Sequence, residues 1–428
     1  MRLGTMTMWH LFGALAIPLM LPGSVGAQVG PPLARVSMDD AVRLALQRNQ
    51  TLTAQRMAIQ ASKADEITAS LKPNPGLSIG ADGLTPFTPS QLTPSFLKNA
   101  VSYSAGVSYL FERGNKRARR IDVAEATTAA TTQTVFDAER QIRFDTEQAF
   151  INVLLAKSVL DLAQQNLKSF SDVVDINQQR VASGDLAEGD FYKISLQKLQ
   201  FEEDVSAGEV GLVQAKATLR QVMGYETVTD DFDVIGDLAY VKRDTDLDDL
   251  KQQALASRAD LLAADSYVRV AQAQLVLEHA NAARDVAGNA GLTQAGGDST
   301  LGIGVGIDLP IHDRNQGNIA HAEVAARQAT ETALATRFGV ITDVVNAYAA
   351  FQSNNTIVNL FQSGYLDQSR ESLDISTYVF QRGAGSLLDL LDAQRTDRET
   401  QLAYRQALAA YLTSIQQINF AVGRQVLP

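Results

Sequence analysis

Apolar residues recur at three- and four-residue spacing along most of the chain, and this spacing predicts amphipathic α-helices. The pattern begins in residues 38–71 and again in residues 247–283, where Ala, Leu and Val recur among Gln, Arg and Asp. Two longer runs, residues 113–183 and 313–382, contain no proline and little glycine. A continuous helix of about 70 residues would be about 100 Å long and would have no core of its own. We therefore expect these helices to pack side by side as antiparallel coiled-coil hairpins.

Between the helical segments the spacing of apolar residues changes to two, which is typical of β-strands with one apolar face. This alternation predicts β-hairpins over residues 76–111 and 285–310. Strands of about ten residues with this pattern have the length of transmembrane β-strands, and a half-buried hairpin of a soluble domain is the alternative. On the first interpretation, the side chains predicted to face lipid are those of Val101, Tyr103, Val107, Tyr109, Phe111, Leu301, Ile303, Val305 and Ile307.

The second half of the chain repeats the pattern of the first half. Each half runs in the order helix, alternating segment, long helical run, glycine-rich turn and shorter helical run. A repeat fixes an architecture more firmly than local propensity does, so we expect two copies of one structural unit. The matching positions are Asp39-Asp40 with Asp248-Asp249, Gly184 with Gly383, Asp190 with Asp389, and Gly224 with Gly423.

The duplication gives the predicted domain organisation. The first residues read as a secretory signal, with Arg2, a short apolar core and the small-x-Ala pattern Val25-Gly26-Ala27. Between the repeats the sequence is acidic, and we expect an irregular connecting segment there. The predicted units are the signal at 1–27, the first repeat at 28–224 with its turn at 182–190, the linker at 225–246, and the second repeat at 247–428 with its turn at 382–389.

Composition excludes several classes of function. The formal net charge is −11, which disfavours nucleic acid as a partner, and the chain has no cysteine for a disulfide, a thiolate metal site or a lipid anchor. After the signal, only His279, His312 and His321 remain as histidines, and none has metal-ligand spacing with a second strong ligand. No nucleophile elbow, phosphate loop or zinc-protease motif is present. We therefore expect no cofactor, no protein-bound metal and no enzymatic activity.

The string Gly-Ser-Leu-Leu-Asp-Leu-Leu-Asp-Ala-Gln at residues 385–394 is followed by Tyr404, Tyr411 and the closing Ala421-Val422-Gly423. With the duplication, these residues make the chain resemble the TolC family of outer-membrane efflux proteins. The resemblance implies a mainly α-helical chain that forms a membrane β-barrel as a homotrimer. Four β-strands from each chain would complete a twelve-stranded barrel in outer-membrane lipid of a Gram-negative bacterium. The helical hairpins would form a tunnel through the periplasm.

The resemblance also assigns roles to the two glycine-rich turns, which would form the periplasmic aperture and meet an adaptor protein. Asp389 and Asp392 would line the aperture, with Asp190 as the counterpart in the first repeat. Three residues apart on a helix, Asp389 and Asp392 point to one face, although solvated acids at a helix start are the alternative. The predicted adaptor-contacting residues are Ser183, Gly184, Asp185 and Leu186 in the first turn, and Arg382, Gly383, Ala384, Gly385 and Ser386 in the second.

By this resemblance the chain is a passive exit duct that conducts substrates from an inner-membrane pump, expected to be of the RND type, and a periplasmic adaptor. The Pro-Asn-Pro segment at residues 73–75 and the missing lipid-bearing cysteine also resemble the CzcC-like branch, which exports heavy-metal cations. Two alternatives stay open. One is a duct for drug efflux or type I protein secretion, and the other is a periplasmic coiled-coil structural or adaptor protein.

Overall fold

The computed structural model describes residues 33–84 and 92–427, so the predicted signal at 1–27 lies outside the described residues. Most of the described chain is helical. The α-helices are α1 (Met38–Arg48), α2 (Gln50–Ser70), α3 (Pro94–Asn99), α4 (Lys116–Ala182), α5 (Glu188–Met223), α6 (Leu247–Ser257), α7 (Ala259–Asn281), α8 (Gln316–Leu360), α9 (Leu366–Gln381) and α10 (Leu387–Val422). In the described ranges, no helix is long and apolar enough to cross a membrane.

The helix expected over residues 38–71 is in fact two helices, α1 and α2, separated at Asn49. The Asn49 backbone is extended, and its side chain accepts a hydrogen bond from the backbone N–H of Leu52 (3.0 Å) while donating to the carbonyl of Val222 (2.9 Å). An asparagine in this position caps the helix that follows it. The second repeat breaks at the equivalent residue, Arg258, between α6 and α7; its backbone is also extended, but its side chain does not cap the helix that follows.

The long helical runs differ between the repeats. In the first repeat α4 continues without a break from Lys116 to Ala182. In the second repeat a π-helical turn, Phe361–Tyr365, separates α8 from α9, and within it Gly364 has a φ of 126°. The continuous helix expected over residues 313–382 is therefore interrupted, because Gly364 adopts a backbone conformation that other residues rarely reach.

Two sheets connect the helices. The larger contains β2 (Gly76–Asp82), β3 (Ser102–Phe111), β5 (Val286–Ala295) and β6 (Asp298–Ile307), antiparallel throughout and in the order β2-β3-β5-β6. The smaller pairs β1 (Leu33–Val36) in parallel with β4 (Val228–Val234). The prediction that residues 225–246 are irregular is thus wrong for β4, whose Val228, Phe232 and Val234 are buried against the helices.

Three apolar clusters hold the helices together. One surrounds Phe351 and Tyr411 in the second repeat, and another surrounds Phe150 and Phe232 near the smaller sheet. The third lies near the two glycine-rich turns. It draws Phe170 from α4, Ile194 and Phe201 from α5, Phe380 from α9 and Leu390 from α10. Because the helices before and after each turn contribute, this third cluster fixes the two turns relative to each other.

Candidate functional site

The larger sheet places its large apolar side chains on one face. The register sets Leu77 opposite Val107, Val107 opposite Ala290, and Ala290 opposite Ile303. This face is open in the single chain, since Ile79, Ile303 and Val305 are 80%, 79% and 77% exposed. A contiguous apolar surface of this kind marks an interaction with lipid or with protein. Of the residues predicted to face lipid, the face carries Tyr103, Val107, Tyr109, Phe111, Leu301, Ile303, Val305 and Ile307.

Val101 is different from the other predicted lipid-facing residues. It precedes β3, which begins at Ser102, and its side chain is only 1% exposed. The alternation of apolar and polar residues continued through Val101 in the sequence, but the strand does not extend that far. Val101 is therefore removed from the lipid-facing set. The exposed Leu77, Ile79 and Leu292 belong to the same face and extend it across β2 and β5.

The opposite face of the sheet is small and polar, apart from Leu110 near the end of β3. Ser78 lies opposite Gly106, Gly106 opposite Gly291, and Gly291 opposite Gly302, so glycine and serine cross all four strands in one row. A Cβ atom on Gly291 would lie 3.1 Å from the carbonyl oxygen of Ala105, which is tighter than ordinary contact. The glycines therefore let neighbouring strands approach closely and leave this face nearly free of side-chain bulk.

The two glycine-rich turns end their helices with the same backbone arrangement. In the first turn Gly184 is left-handed (φ 83°), its N–H donates to the Val181 carbonyl, and the N–H of Asp185 donates to the Arg180 carbonyl (2.7 Å). In the second turn, Gly383 (φ 72°) donates to Phe380, and Ala384 donates to Val379. Both are Schellman motifs, which require a residue that tolerates positive φ. This requirement explains why Gly184 and Gly383 recur in the two repeats.

The return helices begin differently. Ser386 caps α10, because its side chain accepts a hydrogen bond from the backbone N–H of Asp389 (3.1 Å). Ala187 precedes α5 and offers no side-chain cap. Most of the predicted adaptor-contacting residues are exposed, and only Gly385 and Leu186 among them are half-buried. Leu186 packs against the apolar cluster near the turns. Leu186 is thus partly engaged within the chain.

The three predicted aperture carboxylates lie at the starts of the return helices. Asp389 is exposed in the first turn of α10, where the positive end of the helix dipole favours an acid. Asp392 is exposed one turn later and forms an ion pair with Arg395 (2.7 Å), and Asp190 in α5 forms one with Lys193 (2.9 Å). Asp389 has no ion pair among the described residues.

These ion pairs change the expected electrostatics of the aperture. A basic residue three positions after an acid is a known helical pairing, so the pairing of Arg395 and Lys193 with the acids before them could have been predicted from the sequence. Both pairs are exposed, so each neutralises its carboxylate only in part. Asp389 is the one predicted aperture carboxylate for which the described structure supplies no counter-charge. Beside it, the apolar side chain of Leu388 is 75% exposed, and Leu388 is not among the site residues predicted from the sequence.

Arg258 and Glu147 are buried charged residues that lie away from the turns. Arg258 is 4% exposed, and it donates hydrogen bonds to Asp260 (2.6 Å), Asp343 (3.0 Å) and the carbonyl of Ala421 (3.0 Å). It therefore joins α7, α8 and α10. Glu147 in α4 is also buried, and its nearest cation is Arg143 at 4.0 Å. Burial raises the pKa of Glu147 to about 7, because the charged form loses its hydration.

Comparison with known proteins decides the family. Residues 41–225 and 250–424 match the family described as Outer membrane efflux protein. The chain belongs to this family. Among its relatives, the cobalt-zinc-cadmium resistance protein CzcC of Cupriavidus metallidurans is 24% identical over 394 residues, covering 91% of this chain and 90% of that protein.

Solved structures with the same fold include two outer membrane channels. The Campylobacter jejuni CmeC channel superposes with a TM-score of 0.75 at 14% identity, covering 91% of this chain and 87% of that one. The open state of the Neisseria gonorrhoeae MtrE channel gives 0.73 at 17% identity, covering 91% and 89%. At 14% and 17% identity, these similarities establish a shared fold and nothing more.

Membership of the outer membrane efflux family confirms the resemblance predicted from the sequence. It places the chain in the outer membrane of a Gram-negative bacterium, with its helices extending into the periplasm. Its family is one of channel proteins rather than enzymes, and such proteins work with a periplasmic adaptor and an inner-membrane pump. In the ranges that the structure covers, no cluster of three or more His, Cys, Asp or Glu side chains could hold a metal ion.

Proposed function

We propose that this outer membrane efflux protein is a homotrimeric exit duct through which substrates leave the periplasm passively. The observation that carries the proposal is the four-stranded sheet with one exposed apolar face, joined directly to helical hairpins about 100 Å long. The apolar face would contact outer-membrane lipid, and the glycine-serine face would line the lumen.

Closure of the barrel requires more than one chain. Four strands cannot curl into a barrel, for which about eight is the practical minimum. The sheet order leaves β2 and β6 at its edges, with backbone groups available for pairing. In a trimer, β6 of one chain would pair with β2 of the next, and twelve strands would close the barrel without an open edge.

The periplasmic aperture would form where the turns of three chains converge. A threefold axis would bring three copies of Asp389 together, with Asp392 and Asp190 close by on the same helix starts. A narrow ring of carboxylates attracts cations and repels anions. Because Asp392 and Asp190 are partly neutralised by Arg395 and Lys193, Asp389 would dominate the selectivity of this ring.

The adaptor would contact the turn residues, chiefly the exposed ones between Ser183 and Asp185 and between Arg382 and Ser386. The helices before both turns end in Schellman motifs, so the backbone enters the two turns in the same way. An adaptor could then bind both turns of each chain in related ways. The pump that supplies the energy, for which an RND type is proposed, would meet the duct only through this assembly.

We propose divalent heavy-metal cations as the cargo. The support is the relative named for cobalt, zinc and cadmium resistance, together with the unpaired Asp389 at the aperture and a net charge of −11. A channel needs only weak binding in its lumen, so the lack of a built metal site is compatible with this cargo. A duct for drug efflux or type I protein secretion is the second candidate, because the fold is shared by channels of different systems.

Reconstitution into planar lipid bilayers, with the mass of the same sample measured in detergent, tests the proposal. A trimer that gives small, cation-selective conductance would support the duct. A monomer that neither inserts nor conducts would overturn it, and would favour the other class considered from the sequence, a periplasmic coiled-coil structural or adaptor protein. Recovery from the outer-membrane fraction, compared with release as a soluble periplasmic protein, gives an independent answer.

A further inference from the structure

Basic residues cluster where β3 leads into α4. Residues 113–120 contain five of them, Arg113, Lys116, Arg117, Arg119 and Arg120, which we call the junction patch. They follow Phe111, the last residue of the exposed apolar face, whose ring packs edge-on against Tyr109 at 4.8 Å. Aromatic residues mark the level at which a membrane protein passes from hydrocarbon to headgroups. The junction patch begins just beyond that level, on the side of the helices.

Three members of the junction patch are paired within the chain. Lys116 binds Asp285 (2.8 Å), Arg119 binds Asp122 (2.9 Å), and Arg120 binds Glu112 through two nitrogen atoms. Arg113 and Arg117 differ from these three. Their side chains are exposed and have no carboxylate partner among the described residues, and the guanidinium of Arg117 donates only to the carbonyl of Ser70.

The position of these charges is unfavourable for the helix itself. Four of the five lie within the first five residues of α4, where the helix dipole is positive, and the first turn contains no acidic residue. Cations there destabilise a helix, whereas an external anion would be attracted both by the dipole and by the side chains. Carboxylates of the chain compensate Lys116, Arg119 and Arg120, but none compensates Arg117 in the first turn. A local rule broken without compensation inside the chain indicates a function outside it.

The second repeat provides an internal comparison. Asn315 precedes α8 with the same left-handed backbone (φ 63°) that Asn115 has before α4 (φ 57°). Yet α8 begins with Gln316, Gly317 and Asn318, all uncharged. The turn of the second repeat contains Arg314, but the first five residues of α8 include no basic residue. The charges at the start of α4 are therefore not needed for the transition from strand to helix.

We propose that the junction patch, through Arg113 and Arg117, binds the headgroups of anionic phospholipids in the periplasmic leaflet of the outer membrane. This inference rests on the proposed function, because that function places the apolar face of the sheet in the lipid. Arginine presents a planar fork of donors that matches phosphate oxygens. The helix side of the sheet faces the periplasm, so the headgroups at this level are those of phospholipids in the inner leaflet.

The test is native mass spectrometry of the purified trimer with phosphatidylglycerol or phosphatidylcholine added in detergent. Wild type should retain phosphatidylglycerol preferentially. Each basic residue near an anionic surface contributes about a fivefold preference, so Arg113→Gln with Arg117→Gln should weaken it roughly 25-fold. Arg113→Lys with Arg117→Lys keeps both charges and should largely restore the preference for phosphatidylglycerol. If the glutamine variant instead acted by losing the Arg117 bond to Ser70, the lysine variant would not restore the preference. The matched control, Lys168→Gln with Arg337→Gln, removes two exposed charges elsewhere and should leave the preference unchanged.

Three outcomes would overturn the inference: no preference for phosphatidylglycerol in wild type, an unchanged preference in the glutamine variant, or loss of the trimer in that variant. The last would assign the two arginines to a contact between neighbouring copies of the chain. Conductance in pure phosphatidylcholine bilayers, recorded on the same samples, separates this inference from the proposed function. A chain that conducts there but shows no lipid preference refutes only the inference, whereas a chain that never inserts refutes both.

Discussion

Glu147 provides a quantitative prediction about stability and pH. Its side chain is 12% exposed, in a depression of the surface that also contains Phe144 and Phe420, and Arg143 at 4.0 Å is its nearest cation. Loss of hydration raises its pKa from 4.5 to about 7, and the nearby Asp39 adds to the rise while Arg143 opposes it. The ionised carboxylate therefore destabilises the folded chain.

The magnitude follows from linkage between protonation and folding. Glu147 binds its proton more tightly in the folded chain than in the unfolded chain, so protonation stabilises the fold. This stabilisation is complete below about pH 4.5 and is lost as the pH rises through about 7. At about 1.4 kcal/mol for each tenfold change in proton affinity, the loss amounts to about 3 kcal/mol in each chain. Glu147→Gln is neutral at every pH, so it should be more stable than wild type by about that amount at pH 8 and nearly equal to it at pH 4.

The assay is denaturant unfolding followed by the helical circular dichroism signal across this pH range. Glu331→Gln removes an exposed carboxylate from α8 and serves as the matched control, with no expected change in the pH dependence. A stability difference for Glu147→Gln that is the same at pH 4 and pH 8 would contradict the argument. It would mean that the substitution acts through packing rather than through the charge.

Three further predictions concern the aperture, the sheet and the helix junction. Asp389→Ala with Asp392→Ala should raise single-channel conductance and weaken block by multivalent cations, whereas the control Asp374→Ala on α9 should change neither. Unchanged conductance and block in the double variant would show that the two residues do not line the aperture. Ile303→Lys should impair insertion into lipid by about 2–4 kcal/mol, measured by folding into vesicles, and normal insertion would contradict a lipid-facing position. Arg258→Ala should destabilise the chain by about 3–5 kcal/mol, because it leaves buried partners unpaired, and a loss in unfolding free energy below about 1 kcal/mol would refute this role.

Strong periodicity made much of the architecture predictable. The spacing of apolar residues in α4 and the alternation in β3 and β6 are sustained over many residues, and each favours one type of element. The recurrence of Gly184 as Gly383 was also informative, because both Schellman motifs require a residue with positive φ. The residues of the two glycine-rich turns could therefore be located from the sequence alone.

The features that the sequence did not predict depend on contacts between distant parts of the chain. The interruption at Gly364 was missed because one glycine is tolerated inside a helix, and only the packing around it decides whether the helix breaks there. Strand β4 was missed because its Asp230, Asp231 and Asp233 argue against a strand, while its pairing with β1 overrides that preference. Val101 continued the alternation but is buried, since burial depends on neighbours that a pattern does not specify.

The parallel pairing of β1 with β4 has a consequence for how the chain folds. Val36 pairs with Val234, and between them lie the whole α4–α5 hairpin and the first half of the larger sheet. Contacts across such long separations form slowly, because the intervening chain must be ordered before the two ends can meet. During synthesis and export, β1 emerges before its partner β4 and stays unpaired until nearly half of the chain has followed. We therefore expect the smaller sheet to be among the last parts of the first repeat to form, so amide hydrogens at Val36 should gain protection from exchange later than those in the middle of α4.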